Sequence, residues 1–104
     1  MISVLVLTLN EEKALPACLD SVNWCDDVVV FDSFSTDATM AIAQARGARV
    51  IRRRFDGYAS QRNAALQIRF KEPWVLMLDA DERVTGELRE EMQLVVRNAP
   101  EHTT

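Results

Sequence analysis

Apolar residues along this chain come in short unbroken runs, and each run stops at polar or ionisable residues. Ile2 to Leu9 is the first, rich in Val and Leu, with apolar residues at both alternating positions. Such a run predicts a central parallel strand buried on both faces. Asn10-Glu11-Glu12 breaks it. Leu15, Leu19 and Val22 then recur at helical spacing with Cys18 beside them, and Pro16 falls early enough for a first helical turn. Asp27 to Phe31 is the second strand and stops at Asp32-Ser33-Phe34-Ser35-Thr36-Asp37. Ser35 or Thr36 is placed to cap a helix whose stripe is Ala38, Ala41, Ile42 and Ala45, and Gly47 closes that helix. Ala48 to Arg52 reads as a short third strand, and Tyr58 to Phe70 as a third helix with Leu66 and Phe70 on one face. Pro73 restarts the chain as a fourth strand, Trp74 to Asp79. Thr85 is placed to cap a last helix with Leu88, Met92 and Val95 in register and Glu87 in its first turn. The tail from Pro100 through His102 to Thr104 carries no signal.

This βαβαβαβα pattern predicts an α/β fold: a Rossmann-like parallel sheet, order 3-2-1-4, with right-handed crossovers and flanking helices. In open sheets of this kind ligands sit beyond the strand C-termini, where the direction of winding reverses. Here that edge collects Thr8, Asn10 and Glu12 from strand one, Asp32 from strand two, Arg52 to Arg54 from strand three, and Asp79 and Asp81 from strand four. The last pair follows the apolar run Trp74 to Leu78 with one small residue between the carboxylates. Residues two apart in an extended chain point the same way, roughly 7 Å apart. Two such carboxylates suit one hard cation, and a cation so held neutralises a diphosphate.

The chain has 104 residues, so residues 1–104 are taken as a single domain. Its net charge of −4 argues against a nucleic-acid partner, whose phosphates require a basic face. Cys18 and Cys25 fit neither a zinc spacing nor a disulfide framework, and read as reduced packing residues of a cytoplasmic protein. No run approaches the ~20 apolar residues of a membrane span, which leaves peripheral attachment at the inner face of a membrane open.

With these motifs in place, the chain resembles the inverting GT-A glycosyltransferases of family 2 over nearly its whole length. The resemblance is carried by Thr8-Leu9-Asn10-Glu11-Glu12, Asp32-Ser33-Phe34-Ser35-Thr36-Asp37-Ala38-Thr39, Gln61-Arg62-Asn63 and Leu78-Asp79-Ala80-Asp81-Glu82, in that order on the matching elements. The wording is also similar to the enzymes that add hexoses to the lipopolysaccharide core. The resemblance implies a partial GT-A fold and a nucleotide-diphosphate sugar donor, most simply a UDP-sugar. It implies that Thr8, Asn10, Glu12 and Asp32 hold the nucleobase and ribose and that Arg62 approaches the diphosphate. Asp79 and Asp81 would be the Asp-x-Asp pair binding Mn²⁺ or Mg²⁺, with Asp81 the direct ligand. It further implies that residues 1–104 are the N-terminal, donor-binding half of such a domain. The general base and the site for a glycan or lipid-linked acceptor are then expected beyond the chain end, so no catalytic residue is assigned and turnover by this chain alone is doubtful.

Plainer readings stand beside these. Asp79 and Asp81 can be solvated loop carboxylates, Asp32 a helix cap, Glu11 and Glu12 charges at a helix N-terminus, and Arg52 to Arg54 a solvated strand end. Trp24 and Trp74 read as packing residues. Competing functions are a non-catalytic nucleotide-binding module, a haloacid-dehalogenase-like phosphatase and a receiver domain. Arg83, two residues after the second aspartate where that phosphatase motif needs Thr or Val, counts against it. Strand four, placed at the sheet edge with an apolar sequence, predicts self-association through 74–79.

Overall fold

The computed structural model describes residues 2–98. In chain order the elements are β1 (Ile2–Thr8), α1 (Leu15–Asp20), β2 (Asp27–Asp32), α2 (Thr39–Ala45), β3 (Arg49–Arg52), α3 (Tyr58–Leu66), β4 (Trp74–Asp79) and α4 (Gly86–Asn98). The sheet order is β3-β2-β1-β4 and every pairing is parallel. This is the expected doubly wound topology, and β1 and β4 flank the reversal of winding.

The two-sided apolar character of β1 and β2 divides the core. Val4, Val6 and Val30 face α1 and α2 in one cluster with Leu15, Cys18, Leu19 and Val22, and Met92 of α4 packs against it. Leu5, Val29 and Phe31 point the other way and meet Ala65 of α3, with Ile68 and Phe70 alongside. Phe31 is buried, and Phe31→Ala would cost about 3–5 kcal/mol through lost contact and the cavity left behind. Among the described helices only α3 covers this second face. Towards the β4 edge Leu66, Val75 and Met77 stay exposed beside a 540 Å³ groove.

Three local expectations change. First, neither Ser35 nor Thr36 caps α2: its first residue is Thr39, whose N–H donates to Asp37 Oδ1 at 2.9 Å, while Ser35 and Thr36 bond to Asp32 and Asn10. The β2–α2 loop is committed to joining its neighbours; Ala38 stands at the cap position, and Asp37 before it takes the first helical N–H. Second, α3 stops at Leu66 instead of reaching Phe70. The following segment is captured at the opposite end of the sheet, where Arg49 donates to the Arg69 carbonyl at 2.9 Å and the Lys71 N–H donates to Asp27 at 2.7 Å. Third, the α4 stripe meets the core mainly through Met92, and Leu88 and Val95 are exposed. Thr85 does cap α4, accepting the Leu88 N–H at 3.1 Å. Gly47 follows α2 at φ 78°, a left-handed conformation suited to glycine. The tail containing His102 lies outside the described residues.

Candidate functional site

The C-terminal edge of the sheet carries a cavity of 350 Å³. The β1 exit lines it with Leu7, Thr8 and Leu9, and the β2 exit with Ser33. The β3–α3 segment adds Phe55, Tyr58 and Gln61, and β4 ends in it with Asp79. A neighbouring groove shares Leu7, Tyr58 and Gln61 and continues to Arg62 and Met77. Thr8, Asp79 and, one step along, Arg62 are thus brought to one side of the molecule. Sequence reasoning missed Ser33, Phe55, Tyr58 and Gln61. Ser33 and Gln61 lay inside the quoted motifs without a role, and Phe55 and Tyr58 lay in a loop and at a helix start where nothing in the spacing fixes direction.

Asp32 does not open into this cavity. It is fully buried. Thr8 Oγ1 donates to its Oδ1 at 2.7 Å, the Ser35 N–H donates to Oδ2 at 2.8 Å, the Ser35 hydroxyl also donates to Oδ1, and Arg52 lies 3.8 Å from Oδ2. Ser35, expected as a helix cap, instead spends its N–H and its hydroxyl on Asp32. The carboxylate is consumed in fastening the β1 and β2 exits together.

Asn10 and Glu12 extend this fastening. The Asn10 N–H donates to Ser35 Oγ at 2.8 Å, and its side-chain carbonyl accepts the Thr36 N–H at 2.8 Å. Asn10 sits at φ 53°, which Asn tolerates better than most residues. The Glu11 N–H donates to Thr39 Oγ1 at 2.9 Å, and the Glu12 carboxylate accepts the Ala38 N–H at 3.3 Å. The Glu12 carboxylate thus bonds at the start of α2, while Glu11 bonds through its backbone at both helices, its carbonyl accepting the Leu15 N–H at 2.9 Å. Burial works against the charge on Asp37, but hydrogen bonds from the Thr39 hydroxyl and N–H and from the Glu12 N–H outweigh it and hold its carboxyl below the ordinary range.

At the β3 exit the arginine run is engaged within the chain. Arg53 pairs with Asp56 at 2.8 Å, and the guanidinium carbons of Arg52 and Arg54 lie 4.3 Å and 4.9 Å from the centre of the Phe34 ring. Phe34 occupies φ 61°, a left-handed conformation that costs a side chain of its type about 1–2 kcal/mol.

Asp79 and Asp81 are exposed on either side of buried Ala80. The turn is tied at both ends: the Asp79 N–H donates to Glu82 Oε1 at 2.7 Å, and the Glu82 N–H donates to the Asp79 carbonyl at 2.9 Å. Both aspartates are accessible to solvent. Such oxygen donors suit a hard cation that keeps other positions for phosphate and water. Among the described residues no three His, Cys, Asp or Glu side chains form a self-sufficient metal cluster. The pair therefore fits a cation shared with a ligand better than a closed protein site. Burial pushes the Cys18 and Cys25 thiols up to about 11, which keeps them protonated near neutral pH.

Comparison with known proteins adds the family. Residues 3–101 match the Glycosyl transferase family 2 model. An uncharacterized glycosyltransferase of Rickettsia bellii is 39% identical over 95 residues, covering 90% of this chain and 32% of that protein. The lipopolysaccharide core biosynthesis glycosyltransferase LpsC of Rhizobium meliloti is 37% identical over 94 residues, covering 86% of this chain and 34% of the relative. The chain thus spans about a third of the length of these curated relatives. Among solved structures, glucosyl-3-phosphoglycerate synthase of Mycobacterium tuberculosis in complex with UDP superposes with a TM-score of 0.68 at 28% identity, over 97% of this chain and 41% of the other. The same enzyme with Mn²⁺, UDP and glucosyl-3-phosphoglycerate gives a TM-score of 0.61 at 30% identity, over 80% and 35%. Among the described residues no helix is long and apolar enough to cross a membrane.

Proposed function

The chain belongs to glycosyl transferase family 2, and on that footing we propose that it is the N-terminal donor-binding half of a nucleotide-sugar glycosyltransferase. The observation that carries this reading is the meeting of three strand exits at one cavity: Thr8 from β1, Ser33 after β2 and Asp79 from β4. A nucleoside diphosphate laid across those exits puts its base against the β1 and β2 loops and its phosphates toward Asp79, Asp81 and Arg62. Ser33 offers its hydroxyl to the nucleoside, while the Thr8 hydroxyl stays on Asp32. Asp32, Asn10 and Glu12 act one step back, by fixing the loops that make the floor. Arg62 lies where it neutralises phosphate charge. A bound Mn²⁺ or Mg²⁺ held by Asp79 and Asp81 would act as a Lewis acid on the departing diphosphate.

In the reaction so read, an acceptor hydroxyl attacks the anomeric carbon of the sugar and the nucleoside diphosphate leaves with inversion. The base that takes the hydroxyl proton and the acceptor site belong, in this reading, to the part of the relatives that this chain does not span. The likeness to LpsC supports a cell-envelope glycan such as lipopolysaccharide as the destination. The manganese and UDP bound by the mycobacterial synthase support the metal and the nucleotide. The protonated, unpaired cysteines fit a reducing compartment, and the reading places the chain in the cytoplasm. The open β4 edge supports self-association through 74–79.

Calorimetric titration of UDP with and without Mn²⁺ tests the assignment. UDP binding strengthened by Mn²⁺, with that gain lost in Asp81→Ala, is the expected result. Identical behaviour of the two proteins would remove the metal role.

A further inference from the structure

Past Asp79 the chain leaves the sheet, and the turn that carries Asp81 comes back against α1, far away in sequence. The Val84 N–H donates to Ser21 Oγ at 3.0 Å. Ser21 closes α1, and its hydroxyl donates to the Cys18 carbonyl at 2.7 Å. With its proton committed there, the oxygen is left as an acceptor for Val84. The Ser21 carbonyl accepts Trp24 Nε1 at 3.0 Å, which holds the residue from another side. Ala80 and Val84 are buried in the cluster that includes Cys18, Leu19 and Val22, while Asp79, Asp81 and Glu82 are exposed. The two bonds between Glu82 and Asp79 close the turn on the strand side. The helix that follows, α4, buries none of its residues fully, so the hold on the turn comes chiefly from α1.

We infer that Ser21 and Glu82 are positioning residues for the divalent ion: Ser21 fixes the turn bearing Asp79 and Asp81 from α1, and Glu82 fixes it from β4. The inference rests on the donor-site reading above and adds what sets the geometry of the ion's ligands from outside the cavity. Two carboxylates with one residue between them repel each other before an ion arrives. On a loose exposed turn they would spread, and an ion would lose affinity by having to draw them back. Binding groups work when supporting hydrogen bonds hold them to within roughly 0.5 Å of the productive geometry. Here the bond from the Val84 N–H to Ser21 anchors one end of the turn, and the Glu82 carboxylate on the Asp79 N–H anchors the other. The buried side chains of Ala80 and Val84 keep the segment between from sliding. Such a tie also serves the fold, and the two roles separate by measurement. Ser3 makes a matching tie at the far end of the sheet, where its hydroxyl donates to Asp27 Oδ2 at 2.6 Å and accepts the Glu72 N–H at 3.1 Å. Loosening Ser3 weakens the fold away from the turn, whereas loosening Ser21 weakens the hold on the ion.

The test is calorimetric titration of UDP with and without Mn²⁺, with urea midpoints measured in parallel. The proteins are the unsubstituted chain, Ser21→Ala, Ser21→Thr, Ser3→Ala, Glu82→Ala and Glu82→Gln. Ser21→Ala is expected to keep its metal-free UDP affinity within about twofold, while the gain conferred by Mn²⁺ falls about tenfold. Ser21→Thr, which keeps the hydroxyl, is expected to retain the gain within about threefold. Ser3→Ala should lower the urea midpoint and leave the gain within about twofold. Glu82→Ala, a change at an exposed residue, should lose the gain as Ser21→Ala does. Glu82→Gln, which keeps an acceptor for the Asp79 N–H, should retain it, and the Glu82 pair decides the inference if Ser21→Ala does not fold. An undiminished gain in Ser21→Ala or in Glu82→Ala overturns the inference. So does an equal loss with and without Mn²⁺, or a loss of the gain as large in Ser21→Thr or Ser3→Ala as in Ser21→Ala. A loss in Glu82→Gln as large as in Glu82→Ala also overturns it, by making the Glu82 carboxylate itself a ligand of the ion. Failure of Mn²⁺ to strengthen UDP binding by the unsubstituted chain would overturn the metal role in the donor-site reading and this inference with it, and that outcome is seen before any variant is compared.

Discussion

Thr8 and Asp32 form a buried hydroxyl–carboxylate pair, 2.7 Å between Oγ1 and Oδ1, at the C-terminal end of the β1–β2 ladder. The same ladder has a second such pair at its other end, where Ser3 Oγ donates to Asp27 Oδ2 at 2.6 Å. Each aspartate gathers further donors. Asp27 accepts the Lys71 N–H at 2.7 Å and is held by Arg49 at 3.0 Å, while Asp32 accepts Ser35 and faces Arg52. One pair closes the bottom of the sheet and the other organises the edge that carries the candidate site.

Asp27 should therefore matter for stability and not for binding. Asp27→Asn removes the charge that Arg49 and two further donors converge on, and urea denaturation is expected to show a loss of about 2–3 kcal/mol. UDP affinity of the folded variant should stay within about twofold, because the substitution lies at the far end of the sheet.

Acid should unfold the chain partly through the same residue. Burial works against the charge on Asp27, but hydrogen bonds from Ser3, Lys71 and Arg49, with the Arg49 charge, hold its carboxyl below the ordinary range. A carboxyl whose folded-state value is depressed contributes stability that is present above its unfolded value, about 4, and lost as pH falls through the folded value. Urea midpoints should fall between about pH 5 and pH 3 in the parent. Asp27→Asn should show a shallower fall over that window. Parallel curves for the two proteins would assign the acid sensitivity elsewhere.

Asp32 should affect both properties together. Asp32→Ala leaves the hydroxyls of Thr8 and Ser35 and the Ser35 N–H without their buried acceptor, and about 1–3 kcal/mol of stability is expected to go with it. UDP affinity should drop as well, because the Thr8 and Ser33 segments lose their common anchor. A variant as stable as the parent but weaker in binding would mean that Asp32 meets the ligand itself.

Phe34 should be replaceable by glycine and not by valine. Glycine relieves the left-handed strain, about 1–2 kcal/mol, and gives up two cation–π contacts worth about 0.5–1 kcal/mol each at exposed positions. The two effects nearly cancel, so Phe34→Gly should leave the urea midpoint close to that of the parent. Phe34→Val keeps the strain, adds β-branching and loses the ring, and it should be less stable by at least about 1 kcal/mol.

The β4 edge should govern association. Leu66, Val75 and Met77 are exposed on the thinly covered face, and β4 pairs only with β1 among the described strands. Light scattering in the micromolar range is expected to detect species larger than the monomer, and Met77→Lys is expected to reduce them. A sharp monomer peak for the parent would remove this expectation.

Strand order, the parallel pairing of every strand and the edge that collects polar groups followed from the sequence by itself. Uninterrupted apolar runs such as Ile2 to Leu9 leave few ways to bury both faces, and helical stretches between strands impose parallel pairing. That Asp79 and Asp81 follow the end of β4 was legible too, but alternation did not carry past Asp79, because the Glu82 N–H closes a turn on the Asp79 carbonyl. What Asp32 does could not be read this way. Its partners Thr8 and Arg52 lie on neighbouring strands, and only the lateral register brings them against it. The bonding of Glu12 at α2, the early stop of α3 and the arrival of Phe55 and Tyr58 beside Thr8 were likewise decided by tertiary structure. Each depends on segments distant in sequence competing for the same hydrogen-bond partners or the same space.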